Sequence, residues 1–233
     1  MTHPVGRTRV NRILRDYGGT ALFLLLMMGF RSAWADWVTV PTGSMNPTII
    51  EGDRLLVDKH AFGLRVPFTL VRLTNGQDPA RGEIAVFDSP ADGISLVKRV
   101  IAVPGDTVQM VNERLIVNGR PAEYFPADRA PIKTLLAATQ AEGPELFKEV
   151  GNGPKHDIMV LPARPARRFV APTRVPEGMY FVLGDNRDNS GDSRYFGFVP
   201  RRNFVGRATR VVMSFNPEKY HLPRGDRWMV PLT

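Results

Sequence analysis

The chain has 233 residues, enough for one or two domains with a buried core, and 23% charged and 43% hydrophobic residues exclude wholesale disorder. Thirty-one lysines and arginines against 23 aspartates and glutamates leave a net charge of +8, a balance suited to anionic lipid or nucleic acid. Cysteine is absent, which excludes disulfides, thiolate nucleophiles and cysteine-based zinc sites.

Residues 1–16 carry Arg7, Arg9, Arg12 and Arg15 against Asp16 alone, and Tyr17 to Phe30 then runs fourteen residues without a charge. A spanning helix needs about 20 apolar residues. Arg31 can snorkel and Trp34 and Trp37 suit a lipid–water interface, so residues 17–37 are expected to form a membrane anchor behind a basic tail, 1–16. The arginines place that tail in the cytoplasm and residues 38–233 outside it, which makes nucleic acid a poor partner. Basic start, apolar run and Ala33-x-Ala35 also fit a cleavable signal peptide.

Past the anchor the pattern is all-β. The turn-rich stretch "VPTGSMNPTIIEGD" (40–53) precedes "DRLLVDKHAF" and "GEIAVFDSP", which alternate as half-buried strands. "SLVKRVIAVPGD" is strand-like and stops at Pro104-Gly105. "DTVQMVNERLIVNG" reads as a hairpin turning at Asn112-Glu113, with a second turn at Asn118-Gly119. "MYFVLGDN" and "GRATRVVMSFNP" are later strands. Nine of the twenty prolines fall in residues 118–178, which reads as an insertion or cap on the β core, with only Ile132–Ala141 helix-like.

Ser44 is a candidate nucleophile that needs a base. His3, His60, His156 and His221 stand in no recognisable signature and read as surface or capping residues. Lys98 is the better base. On a strand it and Arg99 point to opposite faces, so one of two adjacent cations can face the interior. Burial lowers a lysine pKa toward neutrality, where the amine can accept a proton. An exposed edge lysine is the plainer alternative. "GDNRDNSGDSRYFGFVP" (184–200) opens with eleven residues of which nine are Gly, Asp, Asn or Ser, so it is a loop. Its arginines Arg187 and Arg194 and the missing twelfth-position acid exclude a calcium site, and its Asp–Arg density suggests a rigid corner. "SLVK" matches S-x-x-K, but a strand sends positions three apart to opposite faces, so that motif is discarded.

Together, "VPTGSMNPTIIEGD", "LVKRVIAVPGD" and "GDNRDNSGDSRYFGFVP", in this order behind an anchor, resemble the type I signal peptidases, membrane-bound bacterial serine proteases that remove signal peptides. The resemblance spans most of residues 17–215 and implies an all-β, mainly antiparallel catalytic domain with one N-terminal transmembrane helix. It implies a Ser-Lys dyad of Ser44 and Lys98 and an oxyanion hole from the Ser44 N–H and the Thr42 hydroxyl. Ser190 would orient the lysine, and Asp192 with Arg194 would form a bracing ion pair. It further implies cleavage of exported preproteins after small-x-small sites, contact with membrane lipid, no cofactor or metal, and a monomer on the extracytoplasmic face of the bacterial inner membrane. A retained anchor is then expected, and self-cleavage after Ala35 is a secondary expectation. A specialised maturation peptidase, or a basic anchored binding protein, are the competing readings.

Overall fold

The computed structural model describes residues 17–20, 23, 35–63, 73–74, 76–127, 143–151, 153–217 and 222–232. Residues 17–20 and 23 are helical, and among the described residues no helix is long and apolar enough to cross a membrane. Most of the expected anchor, and the helix expected at 132–141, lie outside the described residues. The range 17–37 needs one correction. Its end is not helix, because Ala35–Thr39 forms strand β1, antiparallel to β2 (Asp53–Asp58) with Trp37 opposite Leu56.

The strands continue as β3 (Ile84–Asp88), β4 (Ser95–Ala102), β5 (Thr107–Val111), β6 (Arg114–Val117), β7 (Arg120–Pro121) and β8 (Glu123–Pro126). After these come β9 (Glu145–Val150), β10 (His156–Val160), β11 (Phe169–Arg174), β12 (Met179–Leu183) and β13 (Val199–Pro200). The chain closes with β14 (Phe204–Asn216), β15 (Leu222–Pro223) and β16 (Val230–Pro231). A large sheet runs β1-β2-β14-β3-β4-β12-β13, with β15 and β16 on β14. Two smaller sheets, β10-β9-β8 and β11-β5-β6-β7, form the accessory layer, and every strand pair is antiparallel.

β2 alternates buried and half-buried residues, as its sequence predicts. β3 does not. Ile84 and Val86 join a cluster with Leu55, Val57 and Val211, while Ala85 and Phe87 join Phe62, Val100, Tyr180 and Phe204 on the other face. Both faces of β3 are covered, so it is a central strand rather than a half-buried one.

The turns follow their residues. Asn112 and Glu113 have φ of 47° and 68°, and Asn118 and Gly119 have 53° and 74°. Both are two-residue loops with left-handed central residues, the hairpin turn whose twist suits flanking strands. The accessory layer begins earlier than residue 118. β11 pairs with β5, and β5 and β6 pack Val108, Met110, Leu115 and Val117 against Ile101, Phe181 and Leu183. Backbone pairing and a shared apolar core therefore carry the boundary back to Thr107.

Candidate active site

Val40 to Asp53 forms a tight loop between β1 and β2, with a 3₁₀ turn at Gly43–Met45. Met45 and Ile49 anchor it in the core, and Val40 N–H donates to the Asp53 carbonyl. Gly43 packs closely on the Asn46 side chain, whose Nδ2 would stand 2.5 Å from an added Cβ and would have to move aside. Asp53 closes the loop by accepting from Ile50 N–H at 2.9 Å and pairing with Arg227 at 2.6 Å.

β4 delivers Lys98 to this loop. Its Nζ lies 2.5 Å from Ser44 Oγ, a hydrogen bond between residues 54 apart in sequence. Lys98 is 2% exposed, and burial lowers its pKa from 10.5 to about 8, against the opposing pull of Asp192 and Asp185. Arg99 points to the opposite face as expected, but that face is covered too, and Arg99 is 0% exposed. Its Nε and Nη2 donate to Asp185 Oδ1 and Oδ2 at 2.9 and 2.8 Å, and its Nη1 to the Gly82 carbonyl at 2.8 Å. The discarded pairing of Ser95 with Lys98 stays discarded, since Ser95 is exposed and Lys98 buried along β4.

The segment Gly184 to Arg194 folds over the same loop. Asn186 N–H donates to the Ser44 carbonyl at 3.1 Å and its Nδ2 to the Gly43 carbonyl at 3.0 Å. Asp185 Oδ2 accepts from Thr48 Oγ1 at 2.6 Å. Gly184 allows this closeness, for a Cβ there would lie 2.4 Å from the Ser44 carbonyl oxygen and 2.3 Å from Ser190 Oγ. Asp192 and Arg194 form the expected ion pair at 2.8 Å, fully buried, with a second bond from Nε to Oδ1 at 2.8 Å. Asp192 also caps the helical turn Ser193–Phe196 and accepts from Gly184 N–H, so one carboxylate ties both ends of the segment. Among the described residues no cluster of potential metal ligands occurs.

Thr42 stands at the entrance to the 3₁₀ turn, exposed, and its hydroxyl makes no capping bond. The Ser44 N–H is the second of that turn, where no intrahelical acceptor exists. Ser190 is buried, but its Oγ makes no hydrogen bond, so the bond to Lys98 implied by the resemblance is not formed; Lys98 Nζ is turned to Ser44 instead.

The sequence marks Arg99 only as the cation beside Lys98, and does not single out Asp185, Asn186 or Thr48. Asp185 and Asn186 were within reach, since they open the loop whose polarity had marked it as a rigid corner. His156, expected to be a surface or capping residue, is buried. It faces Glu149 at 3.6 Å and Asp185 at 3.9 Å, because β9 and β10 pack against the Gly184–Arg194 segment, with Met159 N–H donating to the Asp185 carbonyl.

The family model for signal peptidase, peptidase S26, matches residues 14–213. Signal peptidase I of Pseudomonas fluorescens is 36% identical over 231 residues, covering 92% of this chain and 78% of that protein. The signal peptidase I of Pseudomonas aeruginosa is 36% identical over 234 residues with the same coverage, and that of Rickettsia prowazekii 31% over 218 residues, covering 87% and 81%. With a family match over most of its length and such relatives, this chain belongs to the signal peptidase family, peptidase S26, and is a hydrolase of the signal peptidase I type.

Proposed function

We propose that the protein is a membrane-bound serine endopeptidase that removes signal peptides from exported preproteins by a Ser44–Lys98 dyad. The observation that carries this is the 2.5 Å contact of the two side chains with the amine buried. A neutral Lys98 accepts the proton of Ser44 Oγ as that oxygen attacks the scissile carbonyl. The oxyanion is held by the Ser44 N–H and the Thr42 hydroxyl, two donors without intraturn work. Collapse of the tetrahedral intermediate passes the proton from the Lys98 ammonium to the leaving amine. Lys98 then takes a proton from water, which cleaves the acyl-enzyme and restores Ser44.

Ser190 holds the Lys98 ammonium once the proton has moved, a role for which its buried hydroxyl is unspent. Asp192 and Arg194 brace the site without touching the reacting atoms. Small side chains at positions −1 and −3 of the substrate fit shallow apolar pockets. No cofactor is needed, and the protein acts as a monomer.

A single-pass anchor in residues 17–34, with the N-terminus cytoplasmic, keeps the catalytic domain on the extracytoplasmic face. Its support is the uncharged run of the sequence and an aromatic and basic row on the large sheet that begins in β1. Trp37 is 53% exposed in a row with Leu56, Arg210 and Pro231, and Trp228, 63% exposed, leads with Met229 into β16. Aromatic rings beside arginines are what a lipid surface accepts.

The test is mass spectrometry of a secretory preprotein incubated with the detergent-solubilised protein and, in parallel, with Ser44→Ala. A new N-terminus directly after a small-x-small site, absent with Ser44→Ala, is expected. An intact preprotein in both incubations would overturn the reading.

A further inference from the structure

A cavity of about 220 Å³, with neither Ser44 nor Lys98 in its lining, lies between the Asn112–Arg114 turn and strands β9 and β10. Its wall is apolar, formed by Phe147, Ile158, Val160 and the Tyr124 ring, and its rim is charged. The charge there does not balance. Arg168 pairs with Glu113 through Nε, and the same guanidinium reaches Asp188 at 3.2 Å through both Nε and Nη2. Its Nη2 is also spent on the carbonyls of Leu161, Pro162 and Arg164. One arginine therefore serves two carboxylates, and Glu145 adds a third at the rim. The other arginine of the rim, Arg114, lies over the Tyr124 ring, 5.0 Å from its centre. Glu113 and Glu145 balance Arg114 and Arg168 in the lining, and Asp188, buried behind it on the same Arg168 guanidinium, leaves one negative charge.

That charge sits beside apolar surface large enough for a side chain. Val111 and Phe169, paired across β5 and β11, are exposed next to Asn112 and Arg168, and Phe169 is 65% exposed. Exposed apolar residues adjoining two of the lining residues along the chain are what a longer partner covers, and a free inorganic ion would leave them bare. We propose that this cavity is a binding site for a basic side chain of a peptide, a lysine or arginine whose stem lies on Phe147 and Ile158 and whose cationic end is held by Glu113 and Glu145. The site is separate from the Ser44–Lys98 pair and the inference does not rest on the reaction assigned there.

Proton linkage gives the site a signature. Burial and the neighbouring Asp188 raise the Glu113 carboxyl to about 7, against the pull of Arg168 and Arg194. Arg194 is committed to Asp192, and Asn112, Arg114, Glu145 and Tyr124 are the remaining polar groups of the lining. Below pH 7 a proton fills the place that a cation takes above it, so binding weakens as pH falls.

The experiment uses the full-length Ser44→Ala protein in detergent, so that no probe is consumed. A blocked glycine pentapeptide with a central lysine, carrying a photoreactive diazirine on its stem, is cross-linked at pH 8 and pH 6, and labelled residues are mapped by mass spectrometry. Labelling at residues 112–114 and 145–147 is expected, falling at least fivefold at pH 6 and at least fivefold on Glu113→Gln at pH 8. A norleucine peptide carrying the same diazirine should label at least fivefold less. Equal labelling by the norleucine peptide, or labels elsewhere on the molecule, would overturn the proposal. So would an undiminished yield in a Glu113→Gln protein of unchanged melting temperature. If that substitution lowers the melting temperature, Glu145→Gln replaces it: at least a twofold fall is expected, and no fall overturns the proposal.

Discussion

As the proposed general base, Lys98 concentrates the chemistry in a single ionisation. An amine at pKa 10.5 is almost wholly charged at neutral pH and cannot accept a proton, whereas at about 8 a useful fraction is neutral. Cleavage is therefore expected to rise with pH through a half-maximum near pH 8, and a flat profile from pH 5 to 9 would contradict a lysine base. The same burial has a thermodynamic cost. Because the folded-state pKa lies below the unfolded one, the folded protein is disfavoured at every pH below about 8, and the penalty disappears as pH rises through 10.5. A fall from 10.5 to about 8 is worth about 3 kcal/mol. Lys98→Met should abolish cleavage and, measured by urea unfolding, raise stability by up to about 3 kcal/mol at pH 7, with the gain shrinking toward pH 10. Equal stability of the two proteins at pH 7 would show that burial does not strain this amine.

At the scale of elements, two loops and a strand meet on backbone carbonyls. The turn that carries Ser44 offers the Gly43 and Ser44 carbonyls, and Asn186 takes both. Gly184 lets the two loops close, so Gly184→Ala must push the Ser44 carbonyl and Ser190 aside. A displacement of about 1 Å at a nucleophile costs roughly 100-fold in rate. Gly184→Ala is expected to lose at least that much kcat with little change in far-ultraviolet circular dichroism, and wild-type kcat would refute the close-packing argument. Arg99 and Asp185 join β4 to the same segment by a bidentate pair with no solvent contact. Removing one partner strands the other charge, which costs about 3–5 kcal/mol. Arg99→Ala should show that loss in urea unfolding, and a loss under 1 kcal/mol would mean that Asp185 finds another partner.

At the scale of the whole molecule, the accessory layer is bolted to the catalytic sheet by charge as well as by apolar packing. Glu149 pairs with Arg187 at 2.8 Å, both buried, and Tyr124 donates to Glu149 at 2.8 Å. His156 sits between this pair and Arg99–Asp185. Burial and the nearby Arg99 and Arg187 lower its pKa, outweighing Asp185 and Glu149. Those two carboxylates are themselves held below their ordinary range, mainly by their arginines against the cost of burial, so they stay charged in mild acid. A histidine with a lowered folded-state pKa contributes a penalty that begins as pH falls through about 6.5 and is complete below the folded value. The melting temperature is expected to drop between pH 7 and pH 5 in the parent and to drop less in His156→Gln. Identical drops would remove His156 from the acid response.

Much of this was legible in the chain alone, for reasons that differ by residue. Alternation in Asp53–Asp58, the Asn112-Glu113 and Asn118-Gly119 turns and the stop at Pro104-Gly105 are local: φ preferences and a two-residue period act within a few positions. Ser44, Lys98, Asp192 and Arg194 could be named in advance because their neighbours in sequence carry the resemblance. Only tertiary structure decided that both faces of β3 and β4 are covered, that Arg99 is buried beside Lys98 and that His156 lies between two carboxylates. Burial of a charge depends on what distant strands place opposite it, and β9, β10 and the Gly184–Arg194 segment come from far along the chain. Pairing with β2 also turned Ala35–Thr39 into strand. Local sequence determined which residues could do chemistry, and the packing of distant elements decided which of their charges lost water and so which pKa values moved.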